Sequence, residues 1–302
     1  MTTETIENPI ETTKEDKYTN VQVDSQILNT FMACPQKVDY VFNRKLIPIT
    51  GLSVSISKGQ LAHTGAKHYW QALLDGKDYQ EASILGVNAA KNSLKEFTNL
   101  EPDDALEVFS TLVQFFKFIQ SYSWIPVFVE KHFRILAYED TKIKLRIYLT
   151  GRIDLGLKTP QVNLIPVDMK SESERWFHST MSNQFKIYSI ACGTNMFGVQ
   201  RFGFQKTLEP KDKFKMEMLS FDVDILEEWR TITLPYYVKQ LLICHEDNYW
   251  PMNTSNCIHG HFKCQFSDAY NNGGICSVSR NVREQKLARY FTIGEDWNPE
   301  KF

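Results

Sequence analysis

Apolar residues recur along this chain with two different periods, which divide it into helices and strands. Spacings of three and four residues predict helices, whereas alternation and short apolar runs predict strands. The helical pattern covers residues 25–44, 59–75, 78–98, 103–122, 181–193 and 224–244. The strand pattern covers residues 127–138, 142–157, 162–170, 196–207 and 214–222. This mixture of helices and strands predicts an α/β fold.

The two ends of the chain differ from this regular middle part. Residues 1–22 are polar and predict a disordered tail without the apolar segment of a signal peptide. The composition, with 42% hydrophobic and 23% charged residues, is ordinary for a soluble globular protein. We expect residues 23–302 to form a single domain. No apolar run approaches the length needed to cross a bilayer, so we expect a cytoplasmic protein, in the host cytoplasm if it is viral.

Two neighbouring strands each carry an aspartate at a point where the surrounding residues are apolar. Asp154 lies in the first strand, and Asp168 lies in the second, two residues before Lys170. Alternate residues of a strand share a face, so Asp168 and Lys170 project together and Met169 points to the other side. If the strands pair as a hairpin, Asp154 approaches the same face. Two carboxylates and an ammonium are the groups that a divalent metal ion and a phosphodiester require.

A simpler interpretation of these charges remains open at this point. Asp and Lys on an exposed strand most often form a solvated pair that contributes little to stability. The apolar residues Leu164, Ile165 and Val167 favour a buried strand instead, where charges are unusual. Pro166 lies inside the same strand and predicts a bulge or an unpaired position.

The sequence Gly151-Arg-Ile-Asp154, followed by Val167-Asp-Met-Lys170, resembles the core of the PD-(D/E)XK nuclease superfamily. It is most similar to the RecB-type branch, which includes AddB-like, phage and CRISPR-associated exonucleases. The resemblance implies a restriction-endonuclease-like core, in which helices flank a mixed central sheet. We expect this core over about residues 58–245, with an N-terminal helical part and a C-terminal cysteine-rich flap over 250–280.

Three further motifs agree with that branch. Gly59-x-x-x-His63 lies on a predicted helix, Glu130 lies near the start of a strand, and Gln184-x-x-x-Tyr188 lies on a helix after the Asp-x-Lys strand. Taken singly, a lone histidine, a glutamate in a strand or a tyrosine on an amphipathic helix is usually structural or surface-exposed. Their order along the chain makes the combination specific.

The resemblance also implies roles for these residues. It implies that His63, Asp154, Asp168 and the Met169 carbonyl bind Mg²⁺ or Mn²⁺. Lys170 would orient or activate water and stabilise charge on the phosphate. Gln184 and Tyr188 would position the DNA strand.

The six cysteines form two groups. Cys192 and Cys244 lie in apolar helical segments and are expected to be buried. The others are one N-terminal cysteine and three in a loop-rich C-terminal segment: Cys34, Cys257, Cys264 and Cys276. This arrangement resembles the iron–sulfur staple of AddB-like nucleases, although the C-terminal spacings are wider than usual there. Four thiolates suit a [4Fe–4S] cluster or a Zn²⁺ ion, for which His259 or His261 could replace a thiolate.

Charge and missing motifs restrict the partners. The formal net charge is −2, but five of the 36 acidic and two of the 34 basic residues lie in residues 1–20, which leaves 31 acidic and 32 basic residues. This near-neutral balance is compatible with DNA, and basic clusters at 131–134, 142–146 and 211–215 offer phosphate contacts. No Walker-type phosphate loop is present, so any helicase or recombinase partner would be a separate chain.

We therefore expect a metal-dependent DNA exonuclease that acts in recombination, repair or phage DNA processing on single-stranded or end-bearing DNA. Two alternatives stay open. One is a catalytically silent nuclease-fold protein that binds DNA or assists recombination. The other is an unrelated zinc-binding interaction protein whose functional part is the cysteine-rich segment.

Overall fold

A computed structural model describes residues 10–12, 18–49, 53–172, 181–204, 213–259, 262–267 and 274–294. The chain divides into two compact units. The unit called terminal here contains Met1–Gly51, Arg134–Thr150 and Glu227–Phe302, and the unit called central contains Leu52–Phe133 and Gly151–Leu226. Each unit is assembled from separate segments of sequence. The expectation of a single domain over 23–302 stays a prediction.

The helices of the described residues include one at Arg280–Tyr290 that we did not predict, and those of the central unit lie close to the predicted ranges. They are α1 (Ser25–Ala33), α2 (Pro35–Val38), α3 (Val54–Leu74), α4 (Tyr79–Ser93), α5 (Pro102–Ile119), α6 (Asn183–Cys192), α7 (Val223–Glu228), α8 (Leu234–Glu246) and α9 (Arg280–Tyr290). Short 3₁₀ turns cover Leu94–Glu96 and Thr254–Asn256, and π-helical turns cover Asp39–Asn43 and Trp229–Thr233. Among the described residues, no helix combines the length and apolar character needed to cross a membrane.

The strands are β1 (Ile10–Thr12), β2 (Thr19–Val23), β3 (Leu46–Pro48), β4 (Ile125–Asp140), β5 (Leu145–Lys158), β6 (Ile165–Glu172), β7 (Met196–Gly203), β8 (Phe214–Ser220), β9 (Ile258–His259), β10 (Phe262–Lys263) and β11 (Phe291–Ile293). In the central unit, residues 155–157 of β5 pair antiparallel with β6, β6 pairs parallel with β7, and β7 pairs antiparallel with β8. Parallel and antiparallel pairs therefore occur in one mixed sheet.

Helices cover both faces of the central unit's sheet. On one face α3 and α5 bury aromatic side chains, and the rings of Tyr69 and Phe116 stack with centroids 4.2 Å apart. On the other face Phe185 of α6 stacks on Phe197 of β7, with centroids 4.4 Å apart. The predicted α/β class, with helices flanking a mixed sheet, is confirmed.

The terminal unit contains strands that we did not predict, and β2 is the one that pairs with β5. Residues 19–22 were assigned to a disordered tail, but β2 pairs parallel with residues 145–149 of β5, and β1 pairs antiparallel with β2. Val21 and Val23 of β2 are at most 1% exposed. Their alternation with polar residues is the pattern of a strand with one buried face, which the polar composition of the segment concealed.

The predicted helix over 25–44 is interrupted at Cys34. Cys34 is extended (φ −165°, ψ 110°), and a new helical turn begins at Pro35. A residue before proline is disfavoured in the helical conformation, because the proline ring clashes with its backbone. The interruption separates α1 from the following turns.

The C-terminal cysteine-rich flap stays a prediction. Cys264 and Cys276 pack against a small apolar cluster in the terminal unit that includes Phe266 and Ile275. His261 and residues 268–273 of the predicted loop lie outside the described residues.

Candidate active site

The site lies where β5 and β6 of the central unit stop pairing. Their antiparallel register ends with Leu155 opposite Val167, immediately beside Asp154 and Asp168. Beyond this point the Met169 N–H donates to Asp154 Oδ2, at 2.9 Å. This hydrogen bond holds the Asp154 carboxylate beside the opening. The bulge or unpaired position predicted at Pro166 is wrong, because Pro166 is paired with Gly156 in a continuous register just before the opening.

Asp168, Lys170 and Gln184 form one connected group beside this opening. Lys170 Nζ lies 2.7 Å from Asp168 Oδ2, as expected for residues that share a strand face. Gln184, in the first turn of α6, donates from Nε2 to Asp168 Oδ1 at 2.9 Å and accepts from Lys170 Nζ at 3.4 Å. The Asp168 side chain is 2% exposed and that of Lys170 is 37% exposed. The ammonium therefore reaches solvent while its carboxylate partner is buried.

His63 and Glu130 approach Asp154 from α3 and β4. His63 Nε2 lies 2.9 Å from Glu130 Oε1, and His63 Nδ1 lies 4.0 Å from Asp154 Oδ2. Arg152 Nε contacts Glu130 Oε2 at 2.7 Å. Glu130 has a positive φ of 51°, which is uncommon for a residue with a side chain and indicates backbone strain. Such strain is frequent at functional sites and draws attention to Glu130.

Three of these residues fit a divalent metal ion. Among the described residues, one ligand atom each from His63, Glu130 and Asp154 lies within 4.8 Å of the others. Carboxylate oxygens suit Mg²⁺ and Mn²⁺, and an imidazole nitrogen suits Mn²⁺ better than Mg²⁺. The sequence indicated His63 and Asp154 as ligands and Glu130 only as a residue nearby. Asp168 and Met169, the other ligands expected from the sequence, lie next to this group, but their roles stay predictions.

Charges are crowded enough to shift the pKa values of this group. Burial, with a contribution from the charge of Asp168, raises the pKa of the Asp154 carboxyl to about 6 against the opposing effect of His63 and Lys170. Burial lowers the pKa of His63, but the carboxylates around it outweigh burial and raise the value overall. Burial raises the pKa of Glu130, but its hydrogen bond to His63 and the nearby cations lower it overall. A bound cation would relieve the repulsion between the carboxylates.

Tyr188 joins the two sides of the site. Its hydroxyl donates to the Arg152 carbonyl at 2.8 Å and accepts from Gln184 Nε2 at 3.0 Å. Tyr188 is 7% exposed, and burial raises the pKa of its hydroxyl well above the usual value. The sequence motif paired Gln184 with Tyr188 but gave no role to Arg152, whose contact with Glu130 depends on how β4 lies against β5.

Four cysteines come together in the terminal unit. Cys34, Cys257, Cys264 and Cys276 line one cavity of about 240 Å³. Burial raises the pKa of the Cys276 thiol to about 12, and the other three cysteines contribute to the increase. Cys244 is buried elsewhere in the same unit, among apolar side chains.

Comparisons with known proteins agree with this geometry. No curated protein matches the chain. The solved structure of SSO0001 matches over 73% of this chain and 77% of that chain, with 11% sequence identity. Its TM-score of 0.32 is too low to indicate a common fold. The sequence pattern that defines the PD-(D/E)XK nuclease superfamily matches residues 25–259, which include His63, Glu130, Asp154, Asp168 and Lys170. The superfamily indicates a metal-dependent nuclease that acts on nucleic acid. This chain belongs to the PD-(D/E)XK nuclease superfamily.

Proposed function

We propose that this protein is a Mg²⁺- or Mn²⁺-dependent deoxyribonuclease that removes nucleotides from DNA ends. One observation carries the proposal: three ligand atoms for a metal ion converge beside an Asp168–Lys170 pair at the opening between β5 and β6. The carboxylates supply hard oxygen ligands, and the lysine supplies a positive charge that reaches solvent. Phosphodiester hydrolysis needs both.

His63, Glu130 and Asp154 would hold the metal ion, and Asp168 and the Met169 carbonyl complete the set that the family resemblance implies. When bound, the metal ion supplies positive charge to the phosphate and lowers the pKa of water.

The remaining residues position the reactants. Lys170 is held beside Asp168 and Gln184, so its ammonium has a fixed place at the opening. There it can stabilise the negative charge that develops on the phosphate oxygens and orient water for attack. In hydrolysis, a bond forms between the water oxygen and phosphorus, the ester P–O bond breaks, and a proton passes to the departing oxygen. Gln184 and Tyr188 position the strand.

The exonuclease type and the biological role rest on the resemblance to the RecB-type branch. Within the proposal, the substrate is single-stranded or end-bearing DNA, and the process is recombination, repair or phage DNA processing. A recombinase or helicase would be a separate partner.

Digestion of DNA with and without ends tests the proposal. Linear and covalently closed circular DNA, each single- and double-stranded, should be incubated with the wild-type protein and Mg²⁺ or Mn²⁺, beside Lys170→Ala. We expect nucleotide release from linear DNA only, a requirement for the metal ion, and loss of cleavage in the variant. Cleavage of circles would reject the exonuclease type and retain the nuclease. DNA binding without cleavage would favour the silent accessory protein.

The proposal also includes a [4Fe–4S] cluster at Cys34, Cys257, Cys264 and Cys276. Four cysteine thiolates can hold either a four-iron cluster or a Zn²⁺ ion. That the four cysteines line one cavity supports a shared metal site, and the choice of the cluster over zinc rests on the resemblance to AddB-like nucleases.

A further inference from the structure

A row of basic side chains crosses the sheet of the central unit, starting at Lys170. In the parallel pairing of β6 and β7, Lys170 lies opposite Arg201, and in the antiparallel pairing of β7 and β8, Arg201 lies opposite Lys215. Directly opposite residues of paired strands point to the same face. Because neighbouring strands are about 4.8 Å apart, the three residues extend over about 10 Å. We call Lys170, Arg201 and Lys215 the basic row.

The basic row continues the candidate active site along the sheet. Asp168, two residues before Lys170, lies opposite the buried Val199. Val199 packs in an apolar cluster with Phe185 of α6, so α6 covers this earlier part of the same face. The basic row lies two residues further along the strands, beyond the part that α6 covers. Side chains are 17% exposed at Arg201 and 60% exposed at Lys215.

One carboxylate orients the outer part of the row. Glu217 lies 3.7 Å from Arg201, measured from Oε1 to Nη1, and also contacts Lys215 Nζ. Its side chain is 19% exposed. Glu217 therefore holds the side chains of Arg201 and Lys215 side by side.

We infer that the basic row binds the phosphate backbone of the DNA strand whose end is cleaved beside Lys170. The inference rests on the proposed function and adds the path of the substrate, which runs from β6 over β7 to β8. Phosphates repeat along a strand, so a row of cations suits them better than a single cation does. Contacts of this kind hold the backbone without reading its sequence.

Salt dependence of DNA binding tests the inference. A labelled single-stranded oligothymidylate should be titrated with the Asp154→Asn protein, in which we expect cleavage to be lost, at several salt concentrations. In that background, the double variant Arg201→Gln with Lys215→Gln should raise Kd about tenfold at low salt. The slope of the logarithm of the binding constant against the logarithm of the salt concentration is negative, and its magnitude should fall by about 1.4. Lys95→Gln with Lys117→Gln removes two exposed charges of the same unit and should change neither quantity appreciably.

Two further variants separate a binding role from a structural one. Arg201→Lys keeps the charge and should retain the slope, even if the contact with Glu217 changes. Glu217→Gln removes the carboxylate from the row and should lower Kd several-fold, a gain that misfolding cannot produce. Glu96→Gln, at an exposed position of the same unit, is the matched control.

Each result has a defined meaning. Equal effects of the row variants and their controls, or unchanged binding in Glu217→Gln, would overturn the inference. If the row controls binding but the wild-type protein cleaves no DNA, the proposed hydrolysis fails and the backbone site stands. If the wild-type protein cleaves DNA but the slope does not change in the row variants, only the backbone site fails.

Discussion

At the scale of single residues, the sequence predicted the site where local periodicity was sufficient. The two-residue period of a strand placed Asp168 and Lys170 on one face, and they contact each other. The four-residue period of a helix placed Gln184 beside Tyr188, and their side chains are hydrogen-bonded. The ion pair between Arg152 and Glu130 joins two strands, and a contact of this kind cannot be predicted from the local period of either strand.

Asp24 provides a residue-scale prediction about stability and pH. It is the N-cap of α1, where Oδ1 accepts the Ile27 N–H at 2.7 Å. Its Oδ2 is buried and accepts no hydrogen bond from the described residues. Burial raises its pKa from 3.8 to about 6 against the effect of backbone hydrogen bonds. The protonated folded state is therefore favoured, and stability is lost as the pH rises from about 4 through 6.

Asp24→Asn should remove this loss, because asparagine caps helices as well as aspartate does and does not titrate. Below pH 4, the free energies of unfolding of wild type and variant should change with pH in the same way. Between pH 4 and pH 7 the variant should gain up to about 3 kcal/mol relative to wild type, from a shift of about two pKa units. Denaturant unfolding across this pH range measures the difference, with Asp78→Asn at the exposed cap of α4 as a control for cap chemistry. A difference that is constant with pH would contradict the prediction.

At the scale of elements, amphipathic helices were predicted well, because their buried face repeats over several turns. Shorter features were predicted less well, as two examples show. The strand β2 lies in a polar segment whose buried residues are few, and α1 ends at Cys34 although its apolar period continues. In both cases a single local effect, pairing with β5 or the proline at 35, outweighs the pattern of the surrounding residues.

The packing of α3 against α4 gives an element-scale prediction. A Cβ at Gly86 would lie 2.7 Å from the carbonyl oxygen of Gly65 and 2.9 Å from Phe116 Cζ. Glycine to alanine in a helix normally stabilises by about 1 kcal/mol. Gly86→Ala should instead destabilise by about 1–3 kcal/mol, because two helix backbones would have to separate. Thermal and denaturant unfolding should be compared with Asn88→Ala, an exposed position of α4, where we expect no loss. Stabilisation by Gly86→Ala would show that the helices are not so closely packed.

At the scale of the whole molecule, only the family resemblance predicted that residues far apart in the sequence share one site. Composition and net charge left the nucleic-acid partner undecided. The order of motifs implied a common site for residues between 63 and 188, and the structure brings His63, Asp154, Asp168, Lys170, Gln184 and Tyr188 together. The register that aligns Lys170, Arg201 and Lys215 joins three strands and could not be read from any one of them.

The cysteine cavity gives a prediction about the cofactor of the whole chain. Protein purified without oxygen should be brown and contain about four iron and four sulfide ions. Cys264→Ser should lose iron and unfold at lower denaturant concentration, because Cys264 lines the cavity. Cys192→Ser, in the central unit, should keep the iron. Stoichiometric zinc without iron would replace the cluster with a zinc site, and absence of both metals would reject a metal site at these cysteines.

The most direct test of the central claim is the rate of DNA cleavage by Asp154→Asn. Asparagine keeps an oxygen that can accept the Met169 N–H, so the fold should survive, but it removes the charge of a proposed metal ligand. With saturating Mg²⁺ or Mn²⁺ and end-labelled linear DNA, we expect cleavage by wild type and a loss of at least about a hundredfold in the variant, as for the removal of a major electrostatic contribution. Thermal unfolding of both proteins checks the fold. Equal cleavage rates in two folded proteins would contradict the assignment of this site.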